Sequence, residues 1–209
     1  GPLSSVEEDP PHPICNSYSR GCFGLWVPAT AELMSETLLT LARGRGSLSL
    51  TTDWDVGIGG GLWSTGVQLV EHFAMFPNLY LSILKGKRVL ELGSGTGLVG
   101  LAATAFDPCE VAITDLASHL DIIAVNLERN KANGIIPDSC IVKVQKYDWG
   151  EALEAGEDAA YDVILGTDVA YYDCLHKPLI QTLRKCSSPH TLIILGVTRL
   201  DTGGDFFDM

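Results

Sequence analysis

Between Arg88 and Leu101 the chain reads RVLELGSGTGLVGL, a short apolar run that stops at a glycine-rich turn and resumes at once as a second apolar run. Val89, Leu90 and Leu92 suit a buried strand, and Leu98, Val99, Leu101 and Ala102 recur at the spacing of a helix packed on a sheet. Gly93, Gly95 and Gly97 fill the turn, where glycine permits positive φ and close approach of a ligand to backbone that the next helix N-terminus also faces. Strand, turn and helix together suit a nucleotide-like ligand. The spacing is GxGxG, with Leu98 where the dinucleotide fingerprint needs its third glycine, and no Gly-Lys-Ser/Thr follows. NAD, FAD and ATP are thereby disfavoured.

Beyond the turn, strands and helices alternate. Glu110 to Thr114 reads as a strand ending at Asp115, about twenty residues past the glycines, where sheets of this kind place an acid on ribose hydroxyls; capping the next helix is the plainer role. Ser118 to Asn133 is a helix with Leu120, Ile123 and Leu127 inward, closed by Gly134. Ile141 to Gln145 is a strand running into Tyr147, Asp148 and Trp149, an acid between aromatics at the carboxyl end, suited to adenine. Tyr161 to Gly166 is the next strand, delivering Thr167 to Tyr171 to the same edge, and a helix from Asp173 to Cys186 precedes a fifth strand, Thr191 to Val197. This order predicts an α/β fold, a Rossmann-like, doubly wound, mostly parallel sheet with helices on both faces.

Upstream, Ala29 to Ala42 carries Leu33, Met34, Thr37, Leu38 and Leu41 at helical spacing and closes at Gly44. A glycine-rich entry, DWDVGIGGGLWSTG, leads into a helix with Val67, Leu69, Val70 and Phe73 inward, ended by Pro77. Trp63 stands at the hinge between them, where core packing is the plainer role. Leu79 to Gly86 connects to the central strand.

The chain of 209 residues has a formal net charge of −12, which argues against nucleic acid and for a basic protein surface as partner. Cys15, Cys22, Cys109, Cys140, Cys174 and Cys186 show no metal-ligand spacing, so reduced, mostly buried thiols and no metal are expected. Cys174 and His176 share one helix start without a third orienting group, which disfavours a cysteine hydrolase. With no signal sequence and no apolar run near ~20 residues, a soluble cytoplasmic protein, present also in the nucleus and with no membrane partner, is expected. Residues 1–13 read as a protease scar followed by an acidic, proline-rich disordered tail, 14–52 as an N-terminal extension and 53–209 as the main domain.

ELGSGTGLVGL, TDL at Thr114 to Leu116, NLERN at Asn126 to Asn130 and DVAY at Asp168 to Tyr171 occur in the order and spacing of one family. The chain resembles the seven-strand S-adenosylmethionine-dependent methyltransferases, and within them the protein-lysine methyltransferases of methyltransferase family 16. GGGLWSTG is similar to that family's GxxxWxxA element, with Gly66 in place of the final alanine. The family follows its fifth strand with a further helix and two antiparallel strands, whereas this sequence stops at GDFFDM, so the sheet is expected to lack its C-terminal strands.

The resemblance implies a monomeric S-adenosylmethionine-dependent methyltransferase acting on a lysine of a non-histone protein such as a translation elongation factor or chaperone. It places Glu91, Gly93 and Gly95 along the methionine part of the cofactor, Asp115 on ribose, Leu116 and Trp149 beside adenine, Asp148 on the adenine amine and Trp63 against the cofactor. It makes Asp168 and Tyr171 the catalytic pair, the first orienting the lysine amine and the second lining the channel for its stem. A cofactor-binding protein without catalysis, or a nucleic-acid or small-molecule methyltransferase, is the alternative.

Overall fold

Strands β3 (Arg88–Leu92), β4 (Glu110–Asp115), β5 (Ile141–Lys146), β6 (Val163–Thr167) and β7 (Leu192–Gly196) form one sheet in the order β5-β4-β3-β6-β7, every neighbouring pair parallel. The computed structural model describes residues 34–150, 160–198 and 206, all within a compact unit Glu32–Met209. Strand alternation sorts the central side chains onto two faces. Val89, Val111, Ile113, Val163 and Leu165 join a core with helices α1 (Ser64–Met75), α2 (Pro77–Leu84), α3 (Leu98–Ala103) and α4 (Leu120–Ala132). Leu90, Leu92, Ala112 and Ile164 join a second core with Leu179 and Leu183 of α5 (Asp173–Cys186). Apolar residues on both faces of a strand require cover on both, and helices supply it here.

The predicted strands and the helices flanking them are present within a residue or two of their expected ends. Leu79 to Gly86 differs in being mostly helical: Pro77, at the first position of α2, ends α1 and starts α2 because its fixed φ and missing N–H suit a helix start.

The helix expected over Ala29 to Ala42 is overturned. Residues 29–33 lie outside the described part, and Met34–Thr40 is strand β1, antiparallel to β2 (Ser47–Asp53). The alternating SLSLTT of β2 buries Leu48 and Leu50 completely, and Leu38, expected to face inward, is 68% exposed on β1. Arg43, Gly44 and Gly46 take positive φ in the hairpin turn, which therefore reverses the chain where the helix would have continued. Arg43 donates to the Ala105 carbonyl at 2.9 Å and pairs with Asp107 at 2.8 Å, and Arg45 pairs with the same carboxylate, tying the turn to the segment before β4.

The open edge of β2 is closed by side chains of α4. Asn130 Oδ1 accepts the Ser49 N–H at 2.9 Å and its Nδ2 donates to the Ser49 carbonyl at 2.7 Å; Asn126 does the same for Thr51 at 2.7 and 3.1 Å. Two amides one helical turn apart thus imitate an adjacent strand. Asn126 Nδ2 also donates to the Thr96 carbonyl at 3.0 Å, so the same residue braces the glycine turn.

Among the described residues no helix is long and apolar enough to cross a membrane, and no group of His, Cys, Asp and Glu could hold a metal ion. Cys15 and Cys22 lie outside the described residues; of the others, Cys140 and Cys186 are buried and Cys109 and Cys174 are exposed, so burial of the described thiols is less general than expected.

Candidate active site

Strand order reverses between β3 and β6, and in open parallel sheets the crevice at the carboxyl ends of such a pair is where ligands sit. Register fixes what meets there. Leu92 lies opposite Gly166 on one side and Thr114 on the other, and Asp115 lies opposite Lys146, so Gly93, Asp115, Tyr147 and Thr167 all emerge at one edge.

Gly93, Gly95 and Gly97 have φ of 61°, 57° and 82°, a conformation that side chains with a Cβ rarely take. The Ser94 N–H donates to the Thr114 carbonyl at 3.1 Å, and the Gly95 N–H to Asp115 Oδ2 at 2.7 Å. Asp115 Oδ1 accepts the Leu116 N–H at 2.7 Å and lies 3.2 Å from His119 Nδ1. A carboxylate offers about four lone-pair sites, so acceptor capacity remains for a ligand hydroxyl. The hydrogen bond with Asp115 holds the His119 imidazole above its usual pKa, against the opposing effect of burial.

Trp149 comes over this turn from the end of β5. A methyl on Gly93 would fall 2.8 Å from Val169 Cγ1 and 3.1 Å from the Trp149 ring, so tryptophan and glycine backbone are in direct apposition. Asp148 beside it is half-buried, and Leu116 is 46% exposed, an apolar side chain open directly after Asp115. Glu91 stands apart from this surface. It is 2% exposed, its Oε2 accepts the Gly100 N–H at 2.9 Å, and burial pushes its carboxyl up to about 8.

From the other side, Trp63 holds the position before α1, its Nε1 donating to the Ile58 carbonyl at 2.9 Å and its ring edge-on to Trp54 at 6.2 Å. Asp168 has φ 54°, a left-handed turn straight after β6 that directs its carboxylate back to α1. Its Oδ2 takes the Thr65 N–H at 3.3 Å and its Oδ1 the Thr198 hydroxyl at 3.0 Å. Tyr171 is half-buried with its ring 4.6 Å from that of Tyr172. His176, from α5, is buried with Nε2 3.0 Å from the Ala170 carbonyl and so pins the segment between Asp168 and Tyr171. Cys174 is exposed, which leaves this histidine a structural anchor.

Thr65 Oγ1, Ser94 Oγ and His119 Nε2 are buried without a hydrogen-bond partner among the described residues. Each orphaned polar atom costs about 1–3 kcal/mol unless something satisfies it. All three belong to the segments bounding this edge; His119 Nε2 lies against Gly59, whereas Thr65 Oγ1 and Ser94 Oγ are left for a polar guest, and an amino-acid-bearing nucleoside such as S-adenosylmethionine fits the donor and acceptor set. Sequence reading did not single out Ser94, Thr65, His119 or Thr198, and it weighed His176 only as a partner for Cys174. Only the paired asparagines of NLERN carried a usable signal, two amides on one helical face.

The fold and the relatives agree with this geometry. The C9 mutein of a branched-chain polyamine synthase from Thermus thermophilus, solved with N4-aminopropylspermidine and 5′-methylthioadenosine, superposes with a TM-score of 0.51 at 22% identity over 69% of this chain and 38% of its own, a likeness of fold alone. Protein N-lysine methyltransferase METTL21A of Danio rerio is 36% identical over 171 residues, 81% of this chain and 74% of that protein. EEF1A lysine methyltransferase 3 of Mus musculus is 31% identical over 165 residues, 77% of this chain and 66% of that protein. The family profile described as lysine methyltransferase matches residues 43–209. With a Rossmann-like sheet, a glycine turn answered by an acid on the next strand, and that match over most of its length, the chain belongs to the S-adenosylmethionine-dependent lysine methyltransferases of family 16.

Proposed function

We propose that Gly93, Gly95, Asp115, Leu116, Asp148, Trp149 and Trp63 hold S-adenosylmethionine, with Glu91 bracing the turn from beneath, and that Asp168 and Tyr171 present the substrate lysine. The observation that carries this reading is the meeting of the two halves at the switch point: Asp115 and Trp149 flank the glycine turn, and the Asp168 carboxylate is held at the start of α1, beside Trp63. When bound, S-adenosylmethionine would supply a methyl group on a sulfonium sulfur, whose carbon an amine lone pair would attack in line as the neutral thioether of S-adenosylhomocysteine leaves with the C–S bonding pair.

A lysine ammonium, with a reference pKa near ~10.4, has no free lone pair and must release a proton before it attacks. Once the ammonium proton has passed to solvent, Asp168, fixed by donors from Thr65 and Thr198, orients the amine by accepting one of its two N–H groups. Tyr171 lines the channel for the methylene stem and holds the cation by its ring face before the proton leaves. The substrate we propose is a non-histone protein, a translation elongation factor or a chaperone; the similarity to the mouse EEF1A lysine methyltransferase 3 supports the former. We propose that the enzyme is a monomer, and we place it in the cytoplasm and nucleus; among the described residues the thiols Cys109, Cys140, Cys174 and Cys186 are free, as a reducing compartment would keep them.

Transfer of labelled methyl from S-adenosylmethionine into cell extract, run on a gel, tests this. A discrete protein band is expected from the wild type. Asp168→Ala is expected to lose at least roughly 100-fold of that signal, the scale of positioned acid–base groups, while binding S-adenosylhomocysteine within about threefold of wild type in calorimetry. Equal labelling by the variant would overturn the assignment of Asp168.

A further inference from the structure

His119 lies in the short turn Ala117–His119 that precedes α4, and its side chain is 10% exposed. One ring nitrogen, Nδ1, is 3.2 Å from Asp115 Oδ1 and also 3.2 Å from Ser118 Oγ. The other, Nε2, is buried with no partner among the described residues. That end of the ring lies against Gly59: a methyl on Gly59 would fall 2.6 Å from Nε2 and 2.7 Å from Cδ2. Gly59 in turn presses on the glycine turn, since a methyl on Gly95 would fall 2.7 Å from the Gly59 carbonyl oxygen. Gly95 closes the circuit with its N–H on Asp115 Oδ2 at 2.7 Å.

Four residues from three parts of the chain therefore hold one another in a ring: Asp115 to His119, His119 to Gly59, Gly59 to Gly95 and Gly95 to Asp115. Neither glycine has room for a side chain, so the imidazole is the sole adjustable member apart from the carboxylate. We infer that His119 is a positioning residue for the cofactor: its Nδ1–H fixes the Asp115 carboxylate in the orientation that accepts ribose hydroxyls, and its ring seats the glycine loop before Trp63 on the cofactor turn. This rests on the proposal that Asp115 faces ribose. A side chain that merely filled space would need no donor at Nδ1, and a donor that merely capped Asp115 would not need to reach Gly59.

The test is calorimetric titration of S-adenosylhomocysteine, which carries no transferable methyl, into the wild type and into His119→Ala, His119→Asn and His119→Phe, with thermal melts to confirm folding. Loss of one oriented charge-assisted donor is expected to weaken binding by roughly tenfold in His119→Ala. Asn, which offers an amide donor close to the position of Nδ1, is expected to return the affinity to within about threefold. Phe keeps the ring against Gly59 without a donor and is expected to bind as weakly as Ala. At saturating cofactor, kcat is expected to stay within about twofold throughout, because His119 acts through Asp115 and not on the lysine. Wild-type affinity in the Ala variant, or Phe restoring binding as well as Asn, would overturn the inference; if the Ala variant does not fold, the Asn and Phe pair decides. Asp115→Ala separates the two levels. Unchanged binding there removes the ribose assignment itself, whereas lost binding there with full binding in His119→Ala removes only the role of His119.

Discussion

A carboxyl buried as deeply as Glu91 must find strong donors or keep its proton, and Glu91 does both. Backbone N–H groups of Gly100 and Val99 favour its anion, but burial outweighs them, the nearby charge of Asp115 adds to burial, and the pKa rises to about 8. The close approach dictates its neighbour. A methyl on Gly100 would fall 2.5 Å from Glu91 Oε2 and 2.8 Å from Ile113 Cγ1, so a glycine inside α3, ordinarily a cost of about 0.5–1 kcal/mol, is required there. The sign of the pH dependence follows from the raised pKa. Between the reference value of 4.5 and about 8 the native state keeps a proton that the unfolded chain has released, so stability falls as pH rises through that window and levels off above it. The slope is at most ~1.4 kcal/mol per pH unit. Glu91→Gln keeps the shape and an acceptor for Gly100 but cannot titrate, and its unfolding free energy is expected to lose this slope. Denaturant titrations of both cofactor-free proteins at about pH 6 and about pH 8 measure it; parallel pH dependence would show that Glu91 is ionised in the folded protein.

At the scale of elements, the hairpin and α4 depend on each other through Asn126 and Asn130. Without those amides the buried Ser49 N–H and carbonyl would face an apolar helix with nothing to bond. Asn130→Ala orphans both groups, at about 1–3 kcal/mol for each group left unsatisfied, and is expected to lower the unfolding free energy by roughly 2–6 kcal/mol. Glu128→Ala, on the exposed side of the same helix and paired with Lys131, is expected to change it by less than about 0.5 kcal/mol. Equal losses in chemical denaturation would mean that the amides do not hold the edge. The same elements mark what could be read without coordinates. β3, β4 and β6 were legible because strands buried on both faces are continuous apolar runs punctuated by glycine turns and caps, and the more exposed edge strands β5 and β7 were legible from the helices and turns that bound them. β1 was not, because Leu33, Met34, Thr37, Leu38 and Leu41 fit helical spacing, and the deciding partner, β2, is itself held by side chains from α4 that lie 75 and 81 residues away in the chain. At the site, Gly93, Gly95, Asp115 and Asp168 could be named because glycines in a turn and acids at strand ends carry local signatures. His119 and Thr198 could not, since their roles exist only once the turn of one element meets the end of another.

For the molecule as a whole, the parallel sheet brings the glycine turn after β3 and Asp168 after β6 to adjacent positions, and the chain surrounding them is strongly acidic. There are 26 Asp and Glu against 14 Lys and Arg, a formal charge of −12. Such a field acts over roughly a Debye length, about 10 Å at ~0.1 M salt and about 3 Å at ~1 M. It attracts a cationic segment before any contact forms, and a lysine among other basic residues is such a segment. The expected signature is kinetic and selective. Raising ionic strength from about 0.05 to about 0.5 M should lower kcat/KM for the protein substrate by several-fold, through slower association, while kcat at saturation changes by less than about twofold. S-adenosylhomocysteine, a small zwitterion held mainly by hydrogen bonds and apolar contact, should bind with nearly the same affinity at both salts. Measuring all three on the wild type separates steering from a general salt effect on folding or on the cofactor site. If kcat/KM were flat, recognition would rest on shape and local contacts at the sheet edge, and the acidic balance would serve solubility alone. If cofactor binding fell in step with kcat/KM, the salt would be acting on the site itself, and the charge would have no claim on the substrate.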